Sequence, residues 1–195
     1  MLTEVLKVNS AKSRWPGDPA FWSMICGDMV VFGAIFCIFM WDRARNAAMF
    51  IDGSTHLNET TGIIFTLLML VSSWFVAMAL RQKRRGMSQA ATRLVVLAMV
   101  CGLAFCILKV VDFHGKINSG FTPGSSLFFL YYFAISGMHL FHVIIAMVVM
   151  IFVLFKVRQP ADIPSDMPFI ECVSIFWHLT DFLWVMIFAL LYLVR

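Results

Sequence analysis

Five stretches of this chain run for about 20 residues with few charged side chains, separated by short polar connections. A bilayer core is about 30 Å thick, and a helix rising about 1.5 Å per residue needs about 20 apolar residues to cross it. The pattern predicts five crossings, at about Ala20–Trp41, Gly62–Leu80, Leu94–Phe113, Leu127–Phe155 and Phe169–Val194. The fourth exceeds the bilayer, so it should tilt or project beyond it. Connections such as "NSGFTPGSS" and "RQPADIPSD" are rich in Gly, Pro, Asp and Ser, the residues of turns. None is long enough to separate a pair of domains. The fold class expected is an all-α integral membrane protein, a five-transmembrane-helix bundle over residues 20–195 with a polar segment, 1–19, before it. That segment has mixed charge and no short apolar core ahead of a small-residue cleavage site, so it does not read as a signal peptide.

Composition strengthens the membrane assignment. The chain is 61% apolar and 13% charged, where a soluble domain has about 45–50% and about 25%. Its mean hydropathy is +0.87. Five cysteines form no CxxC pair and fall in or beside apolar runs, which suits small packing residues rather than a disulfide framework or zinc site. The net charge of +4 matters through its distribution. Ten Lys and Arg fall on the side holding the N-terminus and the second–third and fourth–fifth connections, against five on the other. Basic loops stay in the cytoplasm, so the N-terminus is expected there and the C-terminus in the periplasm. The run "RQKRR", with Arg81, Lys83, Arg84 and Arg85, anchors that topology and is a candidate for anionic lipid headgroups.

The candidate chemistry is polar residues inside apolar runs. In the fifth span Glu171, Ser174, His178 and Asp181 form one stripe at helical spacing, flanked by Trp177 and Trp184. The Val, Ile, Leu and Phe residues of that span favour insertion by about 6 kcal/mol, while one central carboxylate costs about 2.5–3.5 kcal/mol. Two ionisable groups cancel most of the gain, so the stripe must face protein or trapped water. Asp28, in "ICGDMVVFG", lies about eight residues, or ~12 Å, into the first span. His178 lies at similar depth in its own. The fourth span carries His139 and His142 at i, i+3 on one face, and the third carries Lys109 and Asp112 at i, i+3 near its outer end.

Three readings follow. The histidines could ligate haem or copper, although an i, i+3 pair on one helix cannot straddle a haem. Asp28 and the histidines could relay protons, which needs a continuous chain of such groups to the far side. Or the groups pair with one another and fix helix packing, with Asp28 against a histidine of the fourth or fifth span and His178 and Asp181 in an interhelical seam. The third is preferred, with no metal ligand assigned. Ser72 and Ser73 of "VSSW", Gly102 and Gly137 suit close helix approach. No catalytic serine, thiolate–histidine or phosphate-loop pattern occurs. A stand-alone transporter or proton channel is the alternative of another class.

At these residues the chain resembles subunit III of the haem–copper oxidases, over nearly all of its length after residue 15. "GMHLFHVIIA" is similar to the family's G-x-H-x-x-H-V-I-x-G segment, and "ECVSIFWHLTDFLWVMIFALLYL" to its E-x-x-x-x-x-W-H-x-x-D-x-x-W closing helix. "GLAFCILKVVDF" and "CGDMVVFG" fall where the family has an acidic residue with an aromatic, and a carboxylate before an apolar run. The resemblance implies the five-helix form, where many members have seven. The chain departs from the family in carrying Asp28 and Asp112 where Glu is frequent, and the shorter side chain reaches less far. "PGDPAFW", "LKVVDFHGKI" and "FFLYYFAISGMHLFHV" resemble the branch associated with bacterial nitric oxide reductase, with the quinol-oxidase branch its nearest rival. What the resemblance implies is a non-catalytic accessory subunit of the bacterial inner membrane. It would sit beside a haem-bearing catalytic subunit, bind no redox cofactor itself, hold phospholipid in a cleft, and support assembly and sustained turnover.

Overall fold

The computed structural model describes residues 19–159 and 167–193. The polar N-terminal segment, apart from Pro19, and most of the "RQPADIPSD" connection lie outside the described residues. Among the described residues six helices occur in order: α1 (Pro19–Arg45), α2 (Ala47–Thr55), α3 (Glu59–Arg84), α4 (Ser88–Asn118), α5 (Leu127–Arg158) and α6 (Met167–Phe188). A π-helical turn, Ala189–Leu193, extends α6. All except α2 are long and apolar enough to cross a membrane.

The crossings fall where the apolar runs predicted, but they are longer. Backbone hydrogen bonding continues past the last apolar residue, and side chains there face the polar interface. At the end of α1, Arg45 lies 4.6 Å over the Trp41 ring. Asn58 starts α3 by accepting from the Thr60 amide at 2.9 Å, and Ser126 starts α5 by accepting from the Phe129 amide at 3.3 Å. Such caps satisfy amides that lack an intrahelical partner. Gly86 ends the α3–α4 turn at φ 79, a left-handed conformation glycine adopts without strain.

The short helix α2 was not expected. Its apolar run is too brief to cross a bilayer, so pattern reading treats it as connection. It is held by tertiary contact: Phe50 is buried against Phe39, Phe128 and Tyr131. Gly53 lies so close to Phe128 that a Cβ would come within 2.5 Å of the ring.

Successive crossings run antiparallel, so one end of the bundle gathers the start of α1, the α3–α4 turn, the end of α5 and the start of α6. We call it the basic end. Helix α6 is central and α1 peripheral: half of the most apolar stretch of α6 is buried, against 17% in α1. Packing forms two layers. Toward the far end Phe65, Phe105, Phe128, Tyr132 and Trp184 interlock. Toward the basic end smaller residues, among them Ala79, Ala91, Val95 and Ala98, surround Trp177. In lipid, dispersion and close fit hold helices together, because the surroundings are as apolar as the core. Gly102 meets this need: a Cβ there would come within 2.9 Å of Met147 and Trp177. Gly137, expected to do the same, has nothing within 4 Å of a Cβ position.

Candidate functional site

Helices α1, α5 and α6 enclose an open cleft of about 610 Å³ at the basic end. Its walls are apolar, with Phe21, Met24, Ile145, Phe169 and Phe176 among them; Asp28 and His142 are the acidic and basic side chains among its described lining residues. Asp28 Oδ1 lies 3.6 Å from His142 Nε2. His142 Nδ1 donates to the Met138 carbonyl at 2.8 Å. With Nδ1–H committed to a carbonyl, a neutral imidazole presents a bare lone pair at Nε2. Contact with a carboxylate then becomes attractive only when the pair carries one more proton, on the imidazole or on the carboxyl. Phe32, one turn beyond Asp28 on α1, packs edge-on to the His142 ring at 5.3 Å. Further along, Tyr131 donates to Asp42 Oδ2 at 2.5 Å. These contacts tie the peripheral helix to α5.

The stripe on α6 faces α3. His178 Nδ1 and Ser73 Oγ are 2.5 Å apart, and Trp184 Nε1 donates to Thr66 Oγ1 at 3.2 Å. Asp181 is buried, and its Oδ1 has no hydrogen-bond partner among the described residues. His178 therefore does not pair with Asp28; its partner is a serine on the second span. Ser174 folds back on its own helix, donating to the Ile170 carbonyl at 2.7 Å. Glu171, expected in the buried seam, lies at the basic end and pairs with Arg84 at 2.8 Å. The helix reaches the interface there, so a carboxylate finds an arginine within reach.

The two histidines of α5 diverge. His142 faces α1, whereas His139 is fully buried toward Phe105 and Trp184, with ring centroids 5.7 and 5.4 Å away. Neither His139 nitrogen has a hydrogen-bond partner among the described residues. A three-residue step turns a helix by about 300°, leaving two side chains about 60° apart. On a helix with neighbours on both sides, that angle sends them to different interfaces.

A third cluster lies toward the far end. Lys109 is fully buried and donates to Asp112 Oδ2 at 3.1 Å and to the Tyr132 hydroxyl at 3.0 Å. Tyr132 in turn donates to Asp112. The ammonium lies 4.6–5.4 Å from the ring centres of Phe65, Phe113, Tyr132 and Trp184. Aromatic faces stabilise a desolvated cation, so the site is a closed clamp joining α3, α4, α5 and α6. Sequence spacing found the Lys109–Asp112 pair but not Tyr132, because interhelical partners carry no spacing signal.

The basic run divides. Lys83 is buried and donates to Ser88 Oγ at 3.2 Å and to the Val157 and Gln159 carbonyls at 3.2 and 2.7 Å. It staples α3 to α4 and α5 and is not placed to meet a headgroup. Arg84 is taken by Glu171. Arg81 and Arg85 remain exposed. Among the described residues, no three His, Cys, Asp or Glu side chains gather in a way that could hold a metal ion.

Comparison of the sequence with known proteins finds similarity to oxidase subunits. A family model described as "Cytochrome c oxidase subunit III" matches residues 21–194. The chain is 25% identical to the cytochrome bo(3) ubiquinol oxidase subunit 3 of Buchnera aphidicola, over 88% of this chain and 83% of that protein. It is 26% identical to the quinol oxidase subunit 3 of Bacillus spizizenii, over 89% and 84%. It is 25% identical to a probable cytochrome c oxidase subunit 3 of Mycobacterium leprae, over 88% and 84%.

Proposed function

The chain belongs to the cytochrome c oxidase subunit III family, and on that footing we propose that it serves as a non-catalytic accessory subunit of a haem–copper oxidase superfamily complex. It is a multi-pass protein of the bacterial inner membrane. In the proposal it sits beside a haem-bearing catalytic subunit, binds no redox cofactor itself, and supports that subunit's assembly and sustained turnover. The observation that carries the proposal is the family match, which spans every crossing.

The separation of the polar groups favours it over a stand-alone transporter. Asp28–His142, Ser73–His178 and Lys109–Asp112–Tyr132 are joined by different helix pairs. His139, which lies between the first and last of these along α5, has no hydrogen bond to any of them. A relay needs a continuous chain. The cleft supports the phospholipid role, since apolar walls with one ionisable pair between two of them, α1 and α5, suit an acyl chain lying against α1. The excess of Lys and Arg at the basic end supports a cytoplasmic N-terminus and a periplasmic C-terminus.

The named relatives belong to quinol and cytochrome c oxidases, and that favours a terminal oxidase as the partner. Association with a nitric oxide reductase is the second reading, and it rests on the motifs "PGDPAFW", "LKVVDFHGKI" and "FFLYYFAISGMHLFHV" alone. Purification in mild detergent separates the two: the co-purifying catalytic subunit reduces either oxygen or nitric oxide. Proton flux by the isolated chain in proteoliposomes, with no partner captured, would overturn both.

A further inference from the structure

The α3–α4 turn and the end of α5 meet at a second, smaller cavity of about 280 Å³, lined by Ser88, Gln89, Thr92, Arg93 and Arg158. Arg93 and Arg158 are exposed, and neither makes an ion pair among the described residues. Behind Ser88 lies the Lys83 ammonium, which is buried yet hydrogen-bonded only to neutral oxygens. Two positive charges, on Arg93 and Arg158, thus line one concavity with no described carboxylate to balance them. Helix α4 begins here with no side-chain cap and no acidic residue in its first turn. The positive end of its dipole adds to the same field.

We propose that this cavity binds a phosphate group, carried as the phosphodiester of an anionic phospholipid headgroup. A guanidinium presents paired N–H donors at the spacing of two phosphate oxygens, so two arginines on facing helices can grip one group from both sides. The Gln89 amide and the Ser88 and Thr92 hydroxyls line the same wall. The depth suits a headgroup: Arg93 directly precedes the apolar run that starts at Leu94. The "RQKRR" run cannot supply an equivalent cradle, since Lys83 is internal and Arg84 is held by Glu171. This site does not depend on which respiratory complex the chain joins.

The test uses the full-length protein in phosphatidylcholine nanodiscs, titrated with phosphatidylglycerol and read as lipid retained in native mass spectrometry. Two double variants are compared, R93Q/R158Q and R81Q/R85Q. Both remove two exposed charges from the same end, so both change the surface potential alike. R93Q/R158Q is expected to weaken phosphatidylglycerol retention about tenfold or more, and R81Q/R85Q by less than about twofold. A parallel arm adds inorganic phosphate. Phosphate that fails to displace the lipid identifies the headgroup as the ligand; phosphate that binds the unaltered protein but not R93Q/R158Q identifies a free anion at the same site. Equal retention by the unaltered protein and R93Q/R158Q, or an equal loss in R81Q/R85Q, overturns the site.

Discussion

A histidine that gives Nδ1–H to a carbonyl has one nitrogen left for a neighbour, and in His142 that nitrogen faces Asp28. An asparagine amide can donate to the same nitrogen of a neutral imidazole. Asp28→Asn should therefore leave assembly and detergent melting temperature unchanged, with partner turnover intact. Normal assembly with lost turnover would instead make Asp28 a proton group. His178 carries a second prediction. Its partner is Ser73, so Ser73→Ala should destabilise the fold by about 0.6–1.7 kcal/mol. Asp181→Asn should cost less, because the carboxyl's hydrogen-bond partner is the Ser73 hydroxyl, and an asparagine oxygen can still accept from it. The reverse order in thermal unfolding would contradict the assignment. Lys109 gives the largest expected effect. Lys109→Met strands the Asp112 carboxylate and should cost about 3–5 kcal/mol, and adding Asp112→Asn should recover much of it. A double-mutant cycle measures this.

At the scale of the element, the apolar runs foretold all five crossings because about 20 apolar residues in a row permit little else. They understated the ends, since hydrophobicity stops where the bilayer does while helical hydrogen bonding continues. They missed α2, whose burial depends on Phe128 and Tyr131 from a distant helix. The α6 stripe was legible from its insertion cost, but its partners Ser73 and Thr66 were not, because one helix's periodicity does not name the helix it faces. Glu171 shows the limit of such a stripe: its spacing matched, yet its position at the helix end gave it to Arg84. Glycines divide in the same way. Gly102→Val should force α4 away from Trp177 and Met147, at about 1–3 kcal/mol, while Gly137→Ala should be close to neutral. Equal melting temperatures for the two variants would show that close approach at Gly102 is not a packing constraint.

For the whole molecule, the arrangement is a tightly packed set of four crossings with one loosely attached helix. Helix α1 contributes only Ile25, Phe32 and Phe39 to the buried core, and its polar ties to α5 bracket the cleft and the far end. Such a helix leaves the bundle one edge with few buried side chains. The proposed accessory role needs no internal redox chemistry, and the polar clusters act as local clamps between helices. In the proposed role the chain works within a haem-bearing complex and not alone. The most direct measurement is the visible spectrum and subunit content of the tagged chain purified in mild detergent. Within such a complex the preparation shows a Soret band with a catalytic partner at about one to one, and no such band once the chain is separated from that partner. A chain that purifies alone without haem, or that keeps stoichiometric haem after separation, would contradict that role.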